Sequence, residues 1–335
     1  MTHPERWLVV RPDGLYCVPA DLYIDPVRPV PRAAITHGHA DHARPGHDAV
    51  LTSAATLAIM RARFGADAVG QATTPAWGES VRIGDVEVAL APAGHILGAA
   101  QVVLTYAGQR VVVSGDYKRA ADPTATPFEP VACDVFVTEA TFGLPVFRHP
   151  PIEQEIAKLL ASVIRMPERT HVVGAYALGK CQRVIAALRA AGWDRPIYLH
   201  GALIPLSELY GHHGIQLGTL RPATVAAKAE LAGAIVLAPP SAIADRWARR
   251  LADPVVALAS GWMRVRQRAK QRGVELPLVI SDHADWDELL ATIEDVNAPE
   301  VWVTHGSEEA LVHQIGQTGR VGRALALIGR ELEGS

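Results

Sequence analysis

The chain has 335 residues, 49% hydrophobic and 20% charged, with a formal net charge of -3. That length suits two domains with a substantial core, and the composition excludes wholesale disorder. It also excludes a globally basic surface, so any attraction to nucleic acid must come from a local patch or from metal.

In chain order, short β-branched runs end in Thr or Ser, and a ligand-type residue follows within a step or two. The first is Ala33–Ala43, "AAITHGHADHA". It is followed by "VEVALAPAGH", ending at His95, "VVVSGD", ending at Asp116, and "VFVTEAT", which contains Glu139. Four to six apolar residues bounded by turn formers are predicted to be buried strands. Loops leaving packed strands are where a sheet protein gathers a site.

The stretch from Pro145 to Pro277 lacks such clusters and has its own alternation. Helix "IEQEIAKLLASVI", strand "HVVGAY", helix "GKCQRVIAALRAAG" and strand "PIYLH" lead to the strands "GAIVLAP" and "VVALASG". A second domain with a parallel sheet, inserted in the first, is expected. The ligand layout then resumes with "LVISDH", ending at His283, and "VWVTH", ending at His305. Asp285 with Glu288 has capping-box spacing ahead of a helix, and Ser307 before Glu308 and Glu309 reads as another N-cap.

His37, His39, Asp41, His42, His95, Asp116 and His305 are nitrogen and oxygen donors without a thiolate. That set suits zinc, with manganese or iron as alternatives, and seven or so ligands are enough for two ions. Two such cations can share a hydroxide and clamp a phosphoryl oxygen. Cys17, Cys133 and Cys181 lie far apart, which argues against a disulfide framework and fits a reducing compartment. No signal-peptide pattern and no run of about 18 apolar residues is visible, so a cytoplasmic protein with no membrane partner is expected.

"GAYALGKC", Gly174–Cys181, is one residue short of a phosphate-binding loop, and Cys181 replaces the hydroxyl that would hold magnesium. An ATPase is therefore not expected. Lys180 and Gln182 at a helix N-terminus remain candidates for a substrate phosphate. "RWARR" and "RVRQRAKQR" are basic runs, and Arg264, Arg266 and Arg268 are candidates for a phosphate track. Trp262 and Trp286 are read as packing residues.

"THGHADHA", "APAGH", "SGD" and "THGS" resemble the metallo-β-lactamase fold. Glu139 in "TEATFG" and His283 in "SDHAD" resemble its β-CASP nuclease branch. "ADLYIDP", "GKCQR", "SGWMRVRQR" and "ISDHADWDEL" look most like the bacterial ligase-associated DNA exonucleases. The resemblance covers nearly the whole chain. It implies an αββα sandwich of residues 1–145 and 279–335, interrupted by a β-CASP α/β domain of residues 146–278, with the site in the cleft between them.

By motif, the resemblance assigns His37, His39, His95 and Asp116 to one divalent ion. Asp41, His42, Asp116 and His305 go to the other, with Asp41 counted among the reacting groups as well. Asp25 would steady a ligand histidine. A metal-bridging hydroxide would be the nucleophile, and His283, oriented by Glu139, would be the general acid. The implied activity is a DNA exonuclease in repair that leaves 5′-phosphate and 3′-hydroxyl ends, with a DNA ligase and other repair enzymes as partners. A histidine at position 305 is a feature of RNA-cutting branches, so a ribonuclease stays open. A small-thioester hydrolase and an inactive nucleic-acid-binding scaffold are the remaining alternatives.

Overall fold

The computed structural model describes residues 3–243, 247, 251 and 253–325. The chain forms two compact units, one of residues 1–148 and 283–335, the other of residues 149–282. In the first unit, β1 (Leu8–Arg11), β2 (Gly14–Cys17), β3 (Leu22–Ile24), β4 (Arg32–Ala34), β5 (His47–Leu51) and β6 (Val69–Thr73) form one sheet in that order. Its first three strands are antiparallel and the rest run parallel.

The second sheet starts with β7 (Ser80–Ile83), β8 (Val86–Pro92), β9 (Ala100–Tyr106), β10 (Gln109–Val113) and β11 (Val135–Ala140). The other unit supplies β12 (His171–Gly174), β13 (Ile197–Leu199), β14 (Leu220–Pro222), β15 (Ile235–Ala238), β16 (Val255–Ala259) and β17 (Leu276–Leu278). These make a parallel sheet in the order β14-β13-β15-β12-β16-β17. On its return the chain adds β18 (Glu300–Gly306) and β19 (Val321–Ala324), completing a sheet ordered β19-β18-β11-β10-β9-β8-β7.

Alternation explains how the two sheets of the first unit meet. Along β8, Val86, Val88 and Leu90 are fully buried while Glu87 faces water. These residues pack with Ala100, Val102 and Leu104 of β9 and with Leu8, Leu15, Leu22 and Ile24 of the other sheet in one core. Period-two burial of this kind makes one face of each sheet apolar, and the two apolar faces cover each other. The outer face of the first sheet is covered by the helix Ala54–Phe64, whose Leu57 and Met60 join Ala33, Ile35 and Val50 in a second cluster. All six residues of β11 are buried, as suits a strand in the middle of a two-sided layer.

The helix Trp286–Val296 begins with the expected capping box, Asp285 accepting from Glu288 N at 3.0 Å and Glu288 reaching back to Asp285 N. Ser307 occupies the N-cap of Glu308–Gln317, but its side chain makes no capping bond. Instead its backbone N–H donates to Ala140 O at 3.0 Å, tying the turn to the end of β11. One strand expectation needs correction. In "LVISDH" only Leu278 is in a strand, at the end of β17, and Val279–Asp282 form no strand. Val279 N instead donates to the Glu155 carboxylate at 3.0 Å.

Candidate metal centre and acid-base pair

The ligand-type residues of the first unit follow the C-terminal ends of its strands. β4 leads into His37, His39 and His42, β8 into His95 and β10 into Asp116, while β11 and β18 carry Glu139 and His305 in their last turns of chain. Parallel strands place such ends on one side of a sheet, which is how one site draws on residues far apart in sequence.

Three imidazole nitrogens converge there. Nε2 of His37 and Nε2 of His95 each lie 3.1 Å from Nδ1 of His39. Asp116 Oδ2 closes the set, 3.4 Å from His37 Nε2 and 3.9 Å from His95 Nε2. Donors about 2.0–2.1 Å from one zinc ion in a tetrahedron stand roughly 3.3 Å from each other, so the residues fit such an ion. Burial, with His42 next, holds the His37 imidazole well below its ordinary pKa. Burial pushes the Asp116 carboxyl up, but His42 and His37 outweigh it and hold the group well below the usual carboxylate range. Neutral imidazole and ionised carboxylate are the ligating forms.

A second set shares Asp116. Its Oδ2 is 3.4 Å from His42 Nε2 and its Oδ1 is 3.9 Å from His305 Nδ1. Those three side chains can address one ion with atoms mutually within 4.8 Å. Asp41 stands at the edge of this set, its Oδ2 3.6 Å from His42 Nε2 and its side chain 27% exposed.

His305 reaches its place through an irregularity in the strand. Glu139 pairs with Thr304 and Ala140 with Gly306, so the register shifts and His305 has no opposing residue. It adopts φ +59°, in the left-handed region, and a Cβ on Gly306 (φ +97°) would overlap the Ala140 carbonyl. Bulges of this kind re-aim a side chain at a strand end.

Beside the shared carboxylate, His283 Nδ1 lies 2.8 Å from Glu139 Oε2 and 3.1 Å from Oε1. Glu139 also accepts Tyr117 N–H at 2.8 Å, and Ala284 N donates to Tyr117 O at 2.7 Å, so both partners are braced by one residue. Burial raises the Glu139 pKa against the opposing pull of His283. Asp116, Glu139 and His283 are also within 4.8 Å of one another, which brings His283 within reach of a ligand role.

Behind the ligands, Asp25 accepts from Thr36 N at 2.7 Å and from Thr36 Oγ1 at 2.6 Å, and His42 Nδ1 lies 2.7 Å from its Oδ2. Gly38 packs so tightly that a Cβ there would meet Ile59 Cγ2 at 2.5 Å, and Arg63 donates to the Gly38 carbonyl. Lys118, 1% exposed, donates to His95 O at 3.0 Å while paired with Asp122 at 2.6 Å. Thr36, Tyr117 and Lys118 escaped the sequence reading. The only signal was their position directly beside a ligand or acid-base residue.

Lys180 and Gln182, the candidates for a substrate phosphate, both have partners inside their own unit. Gln182 is fully buried, accepting Gly179 N–H at 2.9 Å and donating to Ala177 O and Ser207 Oγ, each at 3.0 Å. It sits at N3 of the helix Lys180–Ala190, where its amide oxygen reaches back to the N-cap Gly179 N–H, and its amide is spent inside the unit. Lys180, 2% exposed, pairs with Asp282 at 2.9 Å, and Arg183 reaches the same carboxylate at 3.3 Å. Two cations thus share one carboxylate inside the unit. Arg264, Arg266 and Arg268 are exposed on a turn and a short helix, with the Arg268 guanidinium 4.1 Å from the Trp262 ring centroid. Of the "RWARR" run, Arg246, Arg249 and Arg250 lie outside the described residues.

Two layered sheets between helices, with this histidine and aspartate set at the strand ends, define a protein of metallo-β-lactamase fold. No protein-family model matches the chain. It is 30% identical over 322 residues to a probable DNA ligase of Opitutus terrae, covering 93% of this chain and 30% of that protein. It is 32% identical over 111 residues to the endoribonuclease ysh1 of Aspergillus fumigatus, covering 32% of this chain and 12% of that protein. The chain thus spans less than a third of either relative's length. A crystal structure of a protein of unknown function from Enterococcus faecalis V583 shares the fold, with TM-score 0.59 and 14% identity over 89% of this chain and 80% of that one. These similarities are consistent with the β-CASP branch of the metallo-β-lactamase family.

Proposed function

We propose that the chain is a metal-dependent phosphodiesterase that hydrolyses DNA from an end, with two divalent ions, zinc or manganese, as cofactors. The observation that carries this reading is the buried Glu139–His283 pair beside Asp116, the carboxylate common to both ligand sets. Bound ions would supply Lewis acidity toward the phosphoryl group and lower the pKa of water toward ~7. His283 gives one ring nitrogen to Glu139, so the other carries the proton to the departing sugar oxygen. Glu139 fixes the ring and stabilises its cationic form, the arrangement a general acid needs.

DNA is favoured by the relative that covers nearly all of this chain, itself named a probable DNA ligase. That similarity supports a ligase partner and a place in repair. Among the described residues no helix is long and apolar enough to cross a membrane. The second reading is an RNA-cutting enzyme, supported by the similarity to a fungal endoribonuclease and by His305 beside Asp116.

DNA and RNA strands of one sequence, each labelled at one end, test the proposal. Shortening of DNA from one end, abolished by a chelator, is the expected result, whereas internal cuts in RNA alone favour the second reading. In the same assay, neutralising Arg264, Arg266 and Arg268 together should weaken substrate binding and flatten its salt dependence by about 2–3 units of slope, nearly one per lost phosphate contact. An unchanged slope in a folded variant would remove these arginines from the substrate path.

A further inference from the structure

We infer that Thr36 is a positioning residue whose hydroxyl holds the His37 proton on Nδ1, so that Nε2 is presented bare to the metal. The inference rests on the metal-centre reading above and adds a residue to it.

The argument is a count of protons. A carboxylate only accepts, and Thr36 Oγ1 lies 2.6 Å from Asp25 Oδ2, so the single hydroxyl hydrogen points at Asp25. What remains on Oγ1 is acceptor capacity. His37 Nδ1 lies 3.0 Å from that oxygen and so must be the donor. A neutral imidazole carries one N–H, so with it on Nδ1 the other nitrogen has only a lone pair. That other nitrogen, Nε2, is the one facing His39 Nδ1 at 3.1 Å and Asp116 Oδ2 at 3.4 Å.

Asp25 does the same for His42 without an intermediary. His42 Nδ1 is 2.7 Å from Asp25 Oδ2 and 3.4 Å from Thr36 Oγ1, so its proton goes to the carboxylate. Nε2 of His42 is then the bare atom, 3.4 Å from Asp116 Oδ2. One carboxylate therefore sets a histidine in each ligand set, directly for His42 and through the Thr36 hydroxyl for His37.

The relay is held from every side. Thr36 is fully buried, its N–H donates to Asp25 Oδ1 at 2.7 Å, and its carbonyl accepts Ala100 N–H at 2.8 Å. Gly115 approaches so closely that a Cβ there would lie 2.7 Å from Thr36 Cβ, which leaves the side chain little freedom to rotate. Asp25 itself sits at φ +45°, a backbone state that persists only where its surroundings impose it.

Thr36→Val keeps the branched shape and removes the hydroxyl, whereas Thr36→Ser keeps the hydroxyl. The full chain, stripped of metal, is labelled with ¹⁵N and its imidazole nitrogens are assigned, and zinc is titrated against a chromogenic chelator. In the unmodified protein the His37 proton is expected on Nδ1. In Thr36→Val a mixture of both tautomers is expected, with one zinc-binding step weakened about 10–100-fold, as for lost partners of metal-binding histidines in general. Thr36→Ser should stay close to the unmodified protein in both measurements. A proton on Nε2 of His37 in the unmodified protein, or zinc binding in Thr36→Val equal to the original, overturns the inference. Should Thr36→Val fail to fold, the spectrum of the unmodified protein still decides. Neither readout involves nucleic acid, so a protein that binds zinc as expected yet cuts no DNA or RNA would refute only the proposed function.

Discussion

Asp116→Ala is expected to weaken both metal positions at once and to cut hydrolysis by roughly 10³-fold or more. Asp116 is 5% exposed, and its two oxygens face different partners, Oδ2 toward His37, His42 and His95, Oδ1 toward His305. Among the described residues no other side chain belongs to all the ligand sets. Without bound metal, water near neutral pH returns from a pKa near ~7 to ~15.7, and the supply of nucleophile collapses. His305→Ala, by contrast, should affect one position and leave the three-histidine set intact. Metal analysis of the purified variants, with thermal unfolding as a check on folding, separates these outcomes. Retention of both ions in Asp116→Ala would break the shared-carboxylate arrangement.

His283→Ala should show a different profile, with turnover lost while metal content stays near normal. A sugar alkoxide is a poor leaving group, and a positioned acid contributes typically ~10²–10⁴-fold. The loss should fall on kcat more than on KM, and it should shrink sharply for a substrate whose leaving group is an activated phenolate. Glu139→Gln should give a milder form of the same pattern, because it loosens His283 without removing it. The contrast matters because His283, Glu139 and Asp116 lie close enough to share an ion. If His283→Ala strips a metal, or harms both substrates equally, His283 is a ligand or a structural residue.

Much of this site could be read from residue order. An apolar run followed at once by a ligand type is a local pattern, and β4, β10, β11 and β18 all show it. The capping box at Asp285 and Glu288 is equally local. What was missed depends on pairings between distant residues. Nothing near Lys180 signals that it pairs with Asp282, and a Gly-Lys at a helix start reads alike whether it faces a phosphate or a buried carboxylate. Gln182 carried a partial signal, since a Gln at N3 can reach back to the N-cap N–H, half of a capping box. The bulge that turns His305 inward arises from its register against β11, which no single strand displays. Thr36 looked like the end of a strand, and its part emerges only with Asp25 behind it.

The most direct test of the central claim is a titration of metal-stripped protein with zinc or manganese, following DNA cleavage and bound metal together. Cleavage should be absent without metal, rise with added ion, and level off at two equivalents per chain. Full cleavage in the presence of chelator, or a plateau at one equivalent with full activity, would contradict a two-ion phosphodiesterase built on Asp116.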